Sequence, residues 1–278
     1  MSVQAKYKPP RFPHLRGAAK WIPAAIVLIV TTGLVVSVLL SSFSTSWMDS
    51  WLPSGWTTNN YVSAWKEFGL GKVFIVTIQV AVSVIILSVA LGLPAAYALS
   101  RGRGALKRFI PLLLALPVAV PPITYGIPLA TLLIQIGIGG SLAGVIVANL
   151  VPSVAIFTLT MLPFVEEIDV RIELAARTLG ASTWTVLTRL LARLLLPGIL
   201  TSCVLVLVRT IVMFDLSFLT SGPNSQPLVV VLYYIIFAPG VRSTAAIDAV
   251  AVMYMMLATA LLIVAMVLVN PVRNSRKE

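Results

Sequence analysis

Two ionisable side chains, Arg209 and Asp215, stand inside an otherwise apolar stretch of the chain. A charge at membrane depth is costly, so such groups mark solute paths, gates or partner contacts by default. Arg209 and Asp215 do not form an i,i+4 pair on one helical face. Counted from Leu194 at about 1.5 Å per residue, Arg209 lies about 22 Å up a helix and Asp215 about 31 Å. That depth puts Arg209 within a membrane and Asp215 near its outer edge. The two either line a path or gate, or pair with a partner subunit and reach the interface. Tyr125, Gln135 and Asn149 are further candidates for lining a path. Pro117, Pro121, Pro122 and Pro128 crowd the same region. Proline removes a backbone donor, and such breaks are tolerated where backbone faces protein or a water-filled cavity. They shape a path beside Thr124, Tyr125 and Gln135, or kink a helix for packing alone.

Metal and thiol chemistry are poorly provided for. His14 is the only histidine and Cys203 the only cysteine. Zinc or haem sites need several such ligands at set spacings. Cys203 falls in an apolar run and reads as a small buried hydrophobe, with no disulfide available to it. No catalytic residue and no metal site is expected.

The elements that must hold the polar residues are membrane spans. The chain is 59% hydrophobic and only 10% charged, with a mean hydropathy of +1.00. Soluble domains are about 25% charged, and so few polar residues cannot cover a water-facing surface. A crossing helix needs about 20 mostly apolar residues. Trp21–Leu40 and Val73–Leu99 supply two such runs. Phe109–Val165 carries no charge over 57 residues, which suits two helices divided at Gly137-Ile138-Gly139-Gly140. The spacing predicts spans over Phe109–Gln135, Ser141–Phe164, Leu194–Leu219 and Ala249–Asn270. The predicted fold is all-α and integral to a membrane, with six spans and both termini on one side. Trp21–Leu40 exceeds the 7–15 residues of a signal-peptide core and reads as a retained span.

Charge orients the spans. The net charge is +11, from 20 Lys+Arg and 9 Asp+Glu. Lys6, Lys8, Arg11, Arg16 and Lys20 precede span one, and Arg101, Arg103, Lys107 and Arg108 follow span two. Arg171, Arg177, Arg189 and Arg193 follow span four, and Arg273, Arg276 and Lys277 close the chain. Sixteen of the twenty basic residues thus share one face, which the positive-inside rule makes cytoplasmic. The basic excess is topology, and no nucleic-acid partner is expected. The organisation expected is a basic tail (1–20), a first span (21–40), an external aromatic-rich segment (41–72), a five-helix core (73–272) and a short tail (273–278). Trp47, Trp51, Trp56, Tyr61 and Trp65 in 41–72 suit an interface with lipid or the docking of an external partner. Ser221–Pro227 reads as a turn before a short re-entrant or interfacial stretch, Leu228–Phe237.

Segment 166–193 is the most distinctive. It holds Glu166, Glu167, Asp169 and Glu173, four of the nine acids. Ile172, Ala175, Ala176 and Leu179 recur at helical spacing, Gly180 ends that helix, and Ser182 or Thr183 caps a second. The result is an amphipathic helical hairpin on the cytoplasmic face, suited to grip a soluble partner.

The run Glu173–Ser182, followed by Leu195-Leu196-Pro197-Gly198, resembles the EAA loop of binding-protein-dependent ABC importer permeases. Gly92–Arg101 resembles the end of that family's early core helix, and the likeness runs from about Val73 to the end. The resemblance implies that the hairpin is a coupling helix seated in a cytoplasmic ATPase, through Glu173, Ala175, Ala176, Gly180 and Ala181. It also implies a second permease, often a homologous but different chain, two ATPase subunits and an external solute-binding protein. ATP and Mg would reside on the ATPase, since this chain has no G-x-x-x-x-G-K-[ST] loop. The family's glutamate stands six residues before the glycine, where this chain has Leu174. Glu173 is one residue earlier, about 100° round the helix. The family's Leu-Pro falls on Ala192 and Arg193, and only the later Pro197 is present. The implied cargo is a small polar solute of the sugar, polyol or polyamine class. The rival reading, an ion-coupled secondary transporter, needs buried carboxylates, and only Asp215 is available within the spans.

Overall fold

The computed structural model describes residues 21–47, 50–102, 104–182, 185–237 and 243–274. The tail residues Lys6 to Lys20 with His14, and also Arg103, Thr183, Arg242, Arg276 and Lys277, lie outside the described residues. The described chain is helical throughout: α1 (Ile22–Ser42), α2 (Asn59–Glu67), α3 (Leu70–Arg101), α4 (Ala105–Ala119), α5 (Pro122–Gln135), α6 (Leu142–Glu166) and α7 (Val170–Thr178). A π-helical turn, Val186–Leu191, then runs into α8 (Ala192–Val212), α9 (Phe214–Thr220), α10 (Leu228–Phe237) and α11 (Thr244–Asn274). Five helices are long and apolar enough to cross a membrane, and a sixth crossing arises if α4 and α5 count together.

Two expected spans are not straight. The third, Phe109–Gln135, is α4 and α5 joined at a 94° bend. Pro121 and Pro122 force it. The residue before a proline is driven out of the helical region. Val120 is extended at ψ 136°, and Pro121 follows at ψ 129°. The fifth, Leu194–Leu219, breaks at Met213, whose ψ of 93° ends α8 before α9 begins. The hairpin's second arm is not a separate helix: the π-helical turn continues directly into α8. The stretch Leu228–Phe237 is helical, as α10.

The core is built where α3, α6 and α8 meet. Val80, Val84 and Ala96 pack with Phe157, Met161 and Val165 and with Leu195 and Val206. Glycine sets the approach of α3 to α6. A Cβ on Gly92 would stand 2.6 Å from Cδ1 of the fully buried Phe157. Small residues at such crossings let membrane helices close on one another. Gly92→Val should therefore destabilise the protein by about 1–3 kcal/mol, the usual cost of overpacking. A lowered thermal midpoint in detergent checks this, and an unchanged midpoint means that the crossing is looser than described.

The α5–α6 turn is tied to the segment after α9. Gly137 and Gly140 adopt φ of 80° and 72°, as a glycine turn requires. Gly140 N–H donates to the Thr220 carbonyl at 3.1 Å, and the Ser225 hydroxyl donates to the Gly140 carbonyl at 2.9 Å. Leu228 N–H, at the start of α10, donates to Thr77 Oγ1 of α3 at 2.9 Å. α1 is peripheral: Ser42 is its one buried residue, and it rests on α11, where the Ser41 hydroxyl donates to the Asp248 carboxylate.

Candidate functional site

Two polar sites stand at different levels of the bundle. The first is at its charged end. Asp169 caps α7 by accepting from Arg171 N–H at 2.9 Å. Gly180, at φ 85°, ends α7. Its N–H donates to the Arg177 carbonyl and Ala181 N–H to the Ala176 carbonyl, both at 3.0 Å, the paired bonds of a Schellman ending. Ser182 then accepts from Thr185 N–H at 3.2 Å, the capping expected of it.

With α7 fixed in this way, Glu173 turns inward and is only 4% exposed. The Arg101 guanidinium meets it from the end of α3, with Nη2 at 2.5 Å and Nε at 3.0 Å from Oε1. The Tyr97 hydroxyl donates to Oε2 at 2.7 Å. Arg101 Nη2 also reaches the Ile168 carbonyl in the α6–α7 link at 3.0 Å. Beside this joint, Lys107 of α4 pairs with Glu166 of α6 at 3.0 Å and donates to the Ser100 carbonyl at 3.2 Å. Four helices are knitted there. Sequence reasoning named Glu173 but missed Tyr97 and Arg101 as its partners. The signal available was their position in the last turn of a long span, one helical turn apart.

Of the other hairpin residues, Ala175 and Gly180 are exposed, while Ala176 and Ala181 are half-buried against the core. Leu174 and Leu179 face outward, Leu179 with 88% of its surface free. Both carboxylate oxygens of Glu173 are engaged within the chain, by Tyr97 and Arg101.

The second site surrounds the break at Met213. Arg209 occupies the last turn of α8 and Asp215 the first turn of α9. Unpaired carbonyls favour the cation at the one helix end, and unpaired N–H groups favour the anion at the other. The break and the bend bring both within electrostatic reach of Tyr125 in the first turn of α5. The Tyr125 hydroxyl itself donates to the Pro117 carbonyl at 3.1 Å. Arg209 Nε is buried and has no hydrogen-bond partner among the described residues.

Asn149 is elsewhere. It is buried between α6 and α9, donating to the Val145 carbonyl at 2.9 Å and to Ser217 Oγ at 3.1 Å. Gln135 lies exposed at the far end of α5. The five candidate path residues therefore separate into one cluster (Arg209, Asp215 and Tyr125), one packing contact and one surface residue.

The comparisons with known proteins agree with this architecture. Residues 85–274 match the family model of the binding-protein-dependent transport system inner membrane component, and the chain belongs to that family. It is 29% identical over 160 residues to the molybdenum transport system permease protein ModB of Mycobacterium tuberculosis, across 53% of this chain and 61% of that protein. It thus spans about three fifths of that relative's length. It is 25% identical to the diacetylchitobiose uptake system permease protein NgcG of Streptomyces coelicolor, across 64% of this chain and 56% of that protein. The fold is that of a chain in the crystal structure of a bacterial ABC transporter that imports the acidic polysaccharide alginate. That match has a TM-score of 0.74 at 19% identity and covers 97% of this chain and 99% of that one. The chain is a multi-pass membrane protein of the inner-membrane class.

Proposed function

We propose that this chain is the permease subunit of an ATP-driven importer and forms half of a path for a small polar solute delivered by an external binding protein. The charged end is its cytoplasmic face. α7 docks into a separate ATPase that holds ATP and Mg, and a second permease, a copy or a homologous chain, completes the path. The supporting observation is the outward face of α7 and its C-cap, where Leu174 and Leu179 stand exposed beside the exposed Arg171 and Arg177 while the one glutamate of the helix is turned inward. An apolar, basic surface on a capped, braced helix is built to be covered by a partner with an apolar socket and acidic rim. ATP-driven closure would move α7 and switch the spans between outward-open and inward-open arrangements.

The solute meets Arg209, Tyr125 and Asp215 at the Met213 break. A sugar or an oxyanion suits a guanidinium and a phenol there. A polyamine would be repelled by Arg209. The two relatives compared above are named for molybdenum and diacetylchitobiose, an oxyanion-forming metal and a sugar.

Leu179→Asp tests the docking. The side chain is exposed, so the fold tolerates the change, while a carboxylate in an apolar socket removes a contact of about 2 kcal/mol, or more than tenfold in affinity. Pull-down of the chain with a tagged ATPase should fall accordingly. Undiminished recovery of the ATPase would show that α7 is not the contact.

A further inference from the structure

We infer that Arg101 is a positioning residue that makes α7 and α3 one rigid lever, so that movement imposed on the hairpin is delivered to the far end of the bundle. The inference rests on the reading of α7 as the ATPase contact. A hairpin held only by its chain ends would swing about the α6–α7 link and dissipate motion there. Here Arg101 grips it at two points, the Glu173 carboxylate and the Ile168 carbonyl, with Tyr97 closing the second carboxylate oxygen. The guanidinium fork holds direction as well as distance, which a point charge would not. The Arg101 and Glu173 side chains are 19% and 5% exposed, so water competes weakly for the bond. The lever itself is α3, one helix of 32 residues that runs through Pro94 and is packed against α6 at Gly92 beside it. At its other end Thr77 accepts from Leu228 N–H, the first residue of α10. A continuous chain of bonded elements thus joins the hairpin to the segment that follows α9, and coupling needs such physical continuity.

The test uses the complex of this chain with the ATPase that co-purifies with it, in nanodiscs and in a Cys203→Ala background. Spin labels are placed on exposed positions of α7 and α3 through Arg171→Cys and Gln79→Cys. With wild-type Arg101 and Glu173, the inter-label distance should be the same in the nucleotide-free state and in the ADP–vanadate-trapped state. With Arg101→Gln or Glu173→Gln it should shift and broaden on trapping. Arg101→Lys, which keeps the charge at Glu173 but lacks the fork that also reaches the Ile168 carbonyl, should shift and broaden it as well, which a role of charge alone would not do. A wild-type distance that moves on trapping would show that the joint opens during the cycle and would overturn the inference. So would an unchanged distance in Arg101→Gln or in Arg101→Lys. Failure of any ATPase to co-purify with the wild type would remove the docking reading and this inference with it, whereas retained ATPase with a moving distance removes this inference alone.

Discussion

Arg101→Ala is expected to lower the thermal midpoint more than any other single change at the charged end. The substitution leaves the Glu173 carboxylate buried with only the Tyr97 hydroxyl to solvate it. Stranding one member of a buried ion pair costs about 3–5 kcal/mol. Arg101 is partly exposed, so water can enter the vacated space, and about 3 kcal/mol is the expected value. The intact pair, by contrast, adds little net stability, since desolvation offsets most of its attraction. The double variant Arg101→Ala with Glu173→Leu should therefore recover most of the loss. Thermal unfolding of the purified protein in one detergent, followed by intrinsic fluorescence, measures both. Equal midpoints for the single and double variants would show that the stranded carboxylate is not the cause.

Arg209→Gln should act in the opposite way, reducing uptake while leaving stability the same or higher. Holding a guanidinium in a membrane helix costs at most about 2.5–3.5 kcal/mol on insertion scales, the value at the helix centre. Arg209 recovers part of this from the end of α8, yet its Nε is left without a partner among the described residues. A residue kept at that cost for packing alone would be improved by neutralisation in every respect. If instead it meets the solute beside Tyr125, transport should fall about tenfold or more, corresponding to loss of one charge-assisted hydrogen bond of about 1.5–3 kcal/mol. The measurement is uptake into proteoliposomes of molybdate or diacetylchitobiose, whichever the wild-type complex carries, alongside the thermal midpoint and recovery of the complex. Unchanged uptake, or a loss of uptake that merely follows a loss of assembly, would sink the assignment.

The long helices α3 and α6 were legible as charge-free runs because the cost of placing a charge in hydrocarbon is a local property of each residue. The glycine turn at Gly137–Gly140 and the end of α7 at Gly180 were legible for a similar reason, since a positive φ is a single-residue preference. The prolines announced trouble in the third span but not its outcome. Pro111, Pro117 and Pro128 all lie inside helices, and only the consecutive pair Pro121-Pro122 produces the 94° bend. The break at Met213 had no local marker, because a methionine carries no backbone preference strong enough to end a helix. The packing of α9 against α5 and α6 accompanies it. For that reason the sequence showed Arg209 and Asp215 only as residues that form no i,i+4 pair, while the folded chain brings both within electrostatic reach of Tyr125.

Residue order alone therefore decided that this chain enters a membrane, roughly where it crosses, and that four acids gather in one hairpin. These follow from transfer free energies and backbone preferences that each short segment carries with it. Which way those acids point was decided by the tertiary structure. Glu173 faces Arg101, which lies 72 residues earlier in the chain, because α3 and α6 pack through Gly92 and bring the end of one helix to the root of the hairpin that follows the other. The choice of Arg209, Tyr125 and Asp215 as neighbours, with Asn149 left as a packing contact and Gln135 at the surface, has the same origin. It depends on the directions helices take after a bend or a break, and those are set by what they pack against.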